Sequence, residues 1–524
     1  MSEHHRIARR TGTVSFLTLI SRIFGLFRDM AIAHTFGTKL AADAFFVAFR
    51  IPNLFRRLFA EGALTVSFVP VFTESLKKSK EEAKETVNTL FTLTLVVLSI
   101  VSLLGVIFSP WIVKLVAWGF SNDPVKFSLT VYLNRIMFPY LLMISLAAVG
   151  MGILNSLKHF AAPAAGPILM NIGIIVGALF FVNWFHPPVV GLAVGVLVGG
   201  VLQTAIQIPA LRRYGFLPRW NWNLRHSSVN KMGRLMLPSA YGAAAYQFNV
   251  VIITLIASFL TTGSVSYLWY ADRVMEFPVG VFAIAMATVI LPTLSEYAAE
   301  KNMVQLKATF NYGLRVVFFI TIPATFGLIV LAGPIVHVLF EHGNFTSASA
   351  EMTRTALQFF ALGLPFISGV RMTSNAFYSL QDAKTPVRIA NFSVVVNIVL
   401  SLLLIKPMAH NGLALAVSLA AVFNFVMHIL DFRKKVGMIG LRSIIDSVVK
   451  QLLASLGMSF VILFLLHFLP GNLQTLSLFK SILALSGVMI SGMVIYFLLS
   501  WILKVREFSE LLHLFLTRGS SLSN

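Results

Sequence analysis

Apolar residues in this chain run in long blocks broken by short polar punctuation, with neither the strict alternation of strands nor the narrow apolar stripe of soluble helices. A bilayer core needs about 20 mostly apolar residues per helix. That ruler picks out about fourteen segments, near 14–36, 44–73, 87–109, 130–156, 162–184, 188–211, 234–260, 265–295, 311–333, 353–380, 386–406, 411–432, 445–469 and 476–503. The pattern predicts an all-α polytopic membrane protein. Met1–Thr13 is polar and basic and runs into the apolar Val14–Ile20 with no small-residue cleavage site after it, so it reads as the start of a retained first helix.

The connections alternate in character. Loops after even-numbered segments carry Lys77, Lys78, Lys80 and Lys84; Arg212, Arg213, Arg219 and Arg225; Lys301 and Lys307; and Arg433, Lys434, Lys435 and Arg442. Loops after odd-numbered segments are nearly bare, as in Thr261-Thr262-Gly263-Ser264. The positive-inside rule then puts both termini in the cytoplasm, which requires an even number of crossings.

Composition supports the membrane reading. Of 524 residues, 57% are apolar and 12% charged, against about 45–50% and about 25% in soluble chains. The 41 Lys and Arg exceed the 20 Asp and Glu by 21. In a polytopic chain the cytoplasmic loops account for that excess first, ahead of nucleic acid. With no cysteine, disulfides, thiolate nucleophiles and thiolate metal sites are excluded.

The chain also repeats itself. Ser156-Leu157-Lys158 with Pro163 returns as Ser379-Leu380-Gln381 with Pro386, displaced by 223 residues. Ala48-Phe49-Arg50-Ile51-Pro52 lies over Ala271-Asp272-Arg273-Val274-Met275 at the same 223. Pro110 and Gly119 match Pro334 and Gly343 at 224, and Gly191-Leu192-Ala193 answers to Gly412-Leu413-Ala414 at 221. Six segments precede each equivalent point, so this is a parallel repeat about an axis along the membrane normal. Residues 1–225 and 226–440 form two six-helix lobes, and 441–524 holds two further helices and a cytoplasmic tail. Secondary transporters built this way place substrate between the lobes and rock one against the other.

Ionisable groups at membrane depth cost about 2.5–3.5 kcal/mol each and face water or the bundle interior. Here they are Arg22, Arg28 and Asp29; then Asp43, Arg50, Arg56, Arg57 and Glu61; and Asp272, Arg273 and Glu276. Asp272 and Glu276 share a helix face, and Arg273 stands three residues before Glu276, within pairing reach. In the first lobe the arginines outnumber the acids, and a cationic cavity implies an anionic cargo, for which guanidinium offers bidentate bonds to phosphate. Other readings stay open. Arg28, Arg56 and Arg57 also fit snorkelling anchors, Glu61 and Glu276 also fit structural partners, Arg371 fits either role, and His337 and His342 read as surface residues. Pro52 and Pro278 stand near the charged clusters, where breaks in membrane helices are tolerated.

The chain has no phosphate-binding Gly-rich loop, paired-histidine metal motif or serine elbow, and its loops are too short for a catalytic domain. The expectation is a transporter with no enzyme activity, no cofactor and no metal.

The stretch Ser21-Arg22-Ile23-Phe24-Gly25-Leu26-Phe27-Arg28-Asp29 closely resembles the MurJ (MviN) family of bacterial lipid II flippases. So do Ala42-Asp43 onward through Arg56-Arg57 to Glu61-Gly62-Ala63, Tyr270-Ala271-Asp272-Arg273-Val274-Met275-Glu276-Phe277-Pro278, and Gln381-Asp382-Ala383-Lys384-Thr385-Pro386. The resemblance implies the fold of the multidrug/oligosaccharidyl-lipid/polysaccharide exporter superfamily. It also implies a place in the bacterial inner membrane and a cargo, the undecaprenyl-pyrophosphate-linked disaccharide pentapeptide, moved to the outer leaflet. The family's cavity arginines fall on Arg22, Arg28, Arg56 and Arg273, with acidic partners at Asp29, Asp43, Glu61 and Glu276 and Asp272 beside them. The two last helices are expected to form a groove for the lipid tail. Coupling to the membrane potential or to Na+ is expected, with membrane lipids and other cell-wall synthesis proteins as further partners and no nucleic acid. Another polyprenyl-pyrophosphate-linked oligosaccharide is the alternative cargo.

Overall fold

The computed structural model describes residues 3–57, 64–223, 225–280, 284–468 and 477–510, with side chains described outside 3–11, 65–66, 237–246, 284–285 and 287–288. Among the described residues there are helices and no strand. In chain order they are α1 (Glu3–Phe36), α2 (Leu40–Phe55), α3 (Thr65–Lys78), α4 (Lys80–Ile107), α5 (Ser109–Val116), α6 (Pro124–Met137), α7 (Tyr140–Ser156), α8 (Ala161–Leu179), α9 (Val190–Ala205), α10 (Ile208–Tyr214) and α11 (Ser227–Ala257). There follow α12 (Ser264–Pro278), α13 (Ile284–Ala299), α14 (Met303–Phe340), α15 (Ser347–Ala361), α16 (Leu364–Ser379), α17 (Lys384–Val436), α18 (Leu441–Phe468) and α19 (Leu478–Ile502).

Among the described residues eight helical stretches are long and apolar enough to cross a membrane, and α15 with α16, bent by 41°, makes a ninth. The 53 residues of α17 would measure roughly 80 Å if straight, far beyond a hydrocarbon core of about 30 Å. The helix breaks at Ala409, whose φ of 49° and ψ of −129° are not helical. The protein is thus a polytopic, all-helical membrane protein.

The displacement seen in the sequence returns in the helix starts. Lys80 and Met303, Pro124 and Ser347, and Ala161 and Lys384 each open helices 223 residues apart. The caps correspond as well, because an orphan N–H at a helix start needs an acceptor from whichever short polar residue stands there. Ser79 accepts from Glu82 N at 3.0 Å as Asn302 accepts from Gln305 N at 3.1 Å. Asp123 and Thr346 do the same for α6 and α15. Lys158 and Gln381 take left-handed φ of 61° and 58°, each followed by a residue whose N–H reaches back to Leu154 O or Phe377 O. Asp382 then caps α17 through the N–H groups of Lys384 and Thr385. The Lys435 ammonium, 2.8 Å away, holds the Asp382 carboxyl well below the usual carboxylate range.

Two compact units divide the chain: Met1–Ser266 with Gly343–Phe345, and Tyr267–His342 with Thr346–Asn524. In the first, α8 and α9 pack backbone to backbone along Gly173, Gly177, Gly191, Gly195 and Gly199; a Cβ on Gly173 would stand 2.6 Å from Gly199 Cα. Small residues permit this approach where no hydrophobic force draws helices together. Its core joins α3, α4, α7 and α11 through Phe68, Phe72, Leu90, Leu154, Phe216 and Met232. In the second unit Leu294, Phe310, Phe377 and Phe432 close a corresponding core. A separate core around Phe319, Met458 and Tyr496 fastens α18 and α19 to α14.

Candidate functional site

On α1 the Arg28 guanidinium wraps onto its neighbour Asp29, donating through Nε at 3.0 Å and Nη2 at 2.8 and 2.9 Å. Adjacent residues on a helix point about 100° apart, so the long arginine must bend along the helix to do this. Asn171 of α8 steadies the bend, accepting from Arg28 Nη1 at 3.2 Å and donating to Ser21 O at 3.0 Å. Asp29 is buried and Arg28 nearly so. Arg22, half-buried one and a half turns earlier, makes no ion pair among the described residues.

Asp43, on α2, is fully buried and saturated. Lys126 Nζ and Gly263 N donate to Oδ2 at 2.8 Å each, and Ser266 N and Oγ donate to Oδ1 at 3.0 and 2.6 Å. The ammonium also stands 4.1 Å over the Phe120 ring. Asp43 therefore answers a lysine and the opening turn of α12, and Arg22, Arg28 and Arg56 are not among these partners. Nearby, the ends of α1 and α11 press on the two glycines that the repeat pairs. A Cβ on Gly119 would stand 2.3 Å from Ser258 O, and one on Gly343 2.4 Å from His34 O. Gly119 N donates to Ser258 Oγ at 2.9 Å, and Asn344 N to His34 O at 2.8 Å.

Beyond Pro52 the helix widens into a π-type turn at 56–57, and beyond Pro278 it does so again at 279–280, once more 223 residues on. Such turns recur at functional positions because they re-aim side chains without ending a helix. Arg56 and Arg57 sit on the first; Arg56 Nε donates to Asn53 Oδ1 at 3.0 Å. Arg50 donates to Thr254 of α11 and edges a cavity of about 220 Å³ with Leu54, Phe55 and Phe248. Glu61 lies outside the described residues.

In the second unit, Arg273 donates to Glu276 at 2.9 Å and lies 4.9 Å over the Trp269 ring, with 32% and 44% of the two charged side chains exposed. Asp272 is half-buried beside it, and Arg371 is exposed on α16. His337 is engaged with Glu341 at 2.9 Å, and His342 with Val338 O.

Sequence reasoning passed over Asn171, Lys126, Ser266 and Thr254, which carry no signal beyond a polar residue in or beside a span. It also passed over Arg315, inside α14, whose pair with Glu507 is buried. Ser447 and Gln451 complete that carboxylate's bonds at 2.7 and 3.4 Å. An arginine within a span and an acid after the last span were the available clue. Glu82, Glu85 and His226 stand close enough to suggest a metal, but Ser228 N donates to His226 Nδ1 at 3.3 Å. The Ser228 Oγ also lies 2.6 Å from His226 Nδ1, and Nε2 faces Glu82 at 3.7 Å.

Comparison with known proteins places the chain in a family. The family model described as "Lipid II flippase MurJ" matches residues 32–484. The lipid II flippase MurJ of Burkholderia cenocepacia is 37% identical over 428 residues, covering 81% of this chain and 83% of that one. A "Probable lipid II flippase MurJ" of Bdellovibrio bacteriovorus is 35% identical over 500 residues, 94% of each chain. Among solved structures, a lipid II flippase MurJ in an inward closed conformation superposes with a TM-score of 0.78 at 29% identity, covering 93% of this chain and 98% of that one. An inward-facing MATE multidrug transporter of the MOP superfamily superposes at 0.65 and 17% identity, covering 82% and 98%, a likeness of fold. The chain belongs to the MurJ family of lipid II flippases.

Proposed function

We propose that this protein carries lipid II from the cytoplasmic to the outer leaflet of the bacterial inner membrane by alternating access, with Arg22, Arg28, Arg56 and Arg273 gripping its diphosphate. The observation that carries the reading is the uneven pairing of guanidinium groups at membrane depth. Arg22 has no ion pair among the described residues. The Arg273–Glu276 pair, one-third to nearly half exposed, is worth only about 0–1 kcal/mol, so a diphosphate displaces the carboxylate at little cost. Arg28, held by Asp29 and Asn171, presents its guanidinium in a set orientation. Bidentate guanidinium–phosphate bonds then offset the cost of carrying the diphosphate through hydrocarbon.

Fourteen crossings support the arrangement. Among the described residues each of the fourteen apolar segments lies on one helix or on a consecutive pair, with α17 covering two segments, and the basic loops follow even-numbered segments. Both termini are then cytoplasmic. Helices 1–6 and 7–12 form the two lobes, and α18 and α19 form the appendage. The polyprenyl tail stays in lipid or beside α18, where Phe318, Phe326, Phe366, Phe425 and Val448 line an apolar cavity of about 520 Å³. An inside-negative potential favours outward movement of net negative cargo by about 2.3 kcal/mol per charge per 100 mV, and Na+ coupling is the other route to a driving force.

The test is complementation of a flippase-depleted bacterium, with outer-leaflet lipid II measured directly. Arg28→Ala and Arg273→Ala should insert normally and fail to restore transport. Normal flipping by both refutes the assigned grip.

A further inference from the structure

The segment joining α10 to α11 takes no part in these steps, yet it is built with care. Its described residues carry no helix, and alternate ones bond to α4. Arg219 N donates to Asn88 Oδ1 at 2.8 Å, Asn221 N to Thr92 Oγ1 at 2.9 Å, Asn221 Nδ2 to Thr89 Oγ1 at 3.2 Å and Asn223 Nδ2 to Glu85 Oε1 at 3.2 Å. In such a strap the intervening side chains turn the other way. These are Trp220 and Trp222, which stack at 6.3 Å and 11° and are 65% and 52% exposed.

The strap leads straight into a polar cavity of about 540 Å³ lined by Arg225, His226, Ser227, Asn230, Lys231 and Arg234. Ser227, Asn230, Lys231 and Arg234 fall on one face of the first two turns of α11. Lys231 is matched by Glu74 at 2.6 Å; Arg225 and Arg234 are exposed and make no ion pair among the described residues. The strap lies along α4 where the apolar run beginning near 87 gives way to the acidic and basic turn at 80–85, which is the level of lipid headgroups. Indole rings with an apolar body and a polar N–H collect at that level, and arginines beside them attract anionic lipid.

We propose that this strap is a phospholipid site: the stacked tryptophans seat among the glycerol and upper acyl carbons of the cytoplasmic leaflet, and the Arg225–Arg234 cavity holds the phosphate of an anionic phospholipid. The occupant follows from charge complementarity beside an outward aromatic shelf. From the proposed function it takes only the cytoplasmic placement of this loop, and its readout requires no flipping, so the two readings fail separately.

The test is tryptophan fluorescence of the full chain in phosphatidylcholine vesicles, titrated with brominated phosphatidylglycerol or, in parallel, brominated phosphatidylcholine. The anionic lipid should quench in excess of the zwitterionic one, and Trp220→Phe/Trp222→Phe should remove that excess. Arg225→Gln/Arg234→Gln should raise the phosphatidylglycerol needed by about 30-fold with an unchanged melting midpoint in detergent. Equal quenching by the two lipids overturns the proposal and leaves the cavity to an acidic protein segment. Quenching that survives the arginine substitutions intact overturns it as well.

Discussion

Ser266→Ala removes one atom from the knot around Asp43, and its effect can be worked out in advance. The hydroxyl donates to Asp43 Oδ1 at 2.6 Å, while the backbone N–H of the same residue, Gly263 N and Lys126 Nζ continue to serve the carboxylate. Asp43 has no exposed surface, so water cannot replace the lost donor. A hydrogen bond to a charged group contributes about 1.5–3 kcal/mol, or roughly 10- to 150-fold in an equilibrium. Asp43 and Lys126 sit on packed helices, α2 and α6. On the alternating access proposed above, in which the 263–266 turn parts from α2 at the outward end, the loss falls on the state in which that turn is bound. Because the chain contains no cysteine, Ala257→Cys provides a single reporter thiol. Ala257 is 3% exposed, beside the Ser258 that bonds Gly119. Labelling of intact cells by an impermeant maleimide should accelerate by that factor on adding Ser266→Ala, and Ser266→Thr should reverse it. An unchanged labelling rate with a lowered melting midpoint would show that the hydroxyl holds the fold together, and the gating argument would fail.

Three further outcomes follow from other parts of the structure. Glu507→Gln strips the buried Arg315 of its counter-charge, which should cost about 3–5 kcal/mol; the melting midpoint should fall, and Arg315→Met/Glu507→Leu should recover much of it. Gly195→Ala would put a Cβ 2.6 Å from Gly173 O and should destabilise by about 1–3 kcal/mol through overpacking. Gly487→Ala, in a helix where a Cβ meets nothing within 4 Å, should stabilise by about 0.5–1 kcal/mol; equal midpoints for the two variants would contradict the packing account. Asp382 has a lowered pKa in the folded state, so its contribution is complete above the unfolded value near 3.8 and fades as pH falls below it. Asp382→Asn should therefore melt lower than the native chain by a constant margin from pH 7 to about pH 5, and the margin should shrink only in stronger acid.

The membrane class was legible because hydrocarbon imposes one demand everywhere, an unbroken apolar helix. Purely apolar length nevertheless misses α1, whose charges lower its mean, and α2, α12 and α13, whose 16, 15 and 16 described residues fall short of a span, although α1, α2 and α12 carry the charges that mark the site. The pair within reach along one helix, Arg273 with Glu276, was readable from spacing, whereas Arg28 and Asp29, adjacent and about 100° apart, were not. Asp43 was readable as a buried acid but not as the partner of Lys126, Gly263 and Ser266, which lie 83, 220 and 223 residues away. No local pattern encodes a contact that only the folded bundle brings about.

The repeat shows the same division between what backbone geometry demands and what packing demands. It was visible at Pro163 and Pro386 and at Gly119 and Gly343, where a turn or a close approach restricts the residue type. It was invisible in the cores, although those correspond as closely. At the same 223-residue displacement, Ala83 stands where Leu306 does, Val87 where Phe310 does, Leu154 where Phe377 does, and Phe216 where Ile439 does. A core needs its volume filled and accepts several combinations that fill it, so two copies of one helix plan can drift apart in every large side chain and keep their register. A backbone carbonyl pressed against a glycine has no such alternative, which is why the old identity survives at the loop contacts that the Asp43 knot and the ends of α1 and α11 form together.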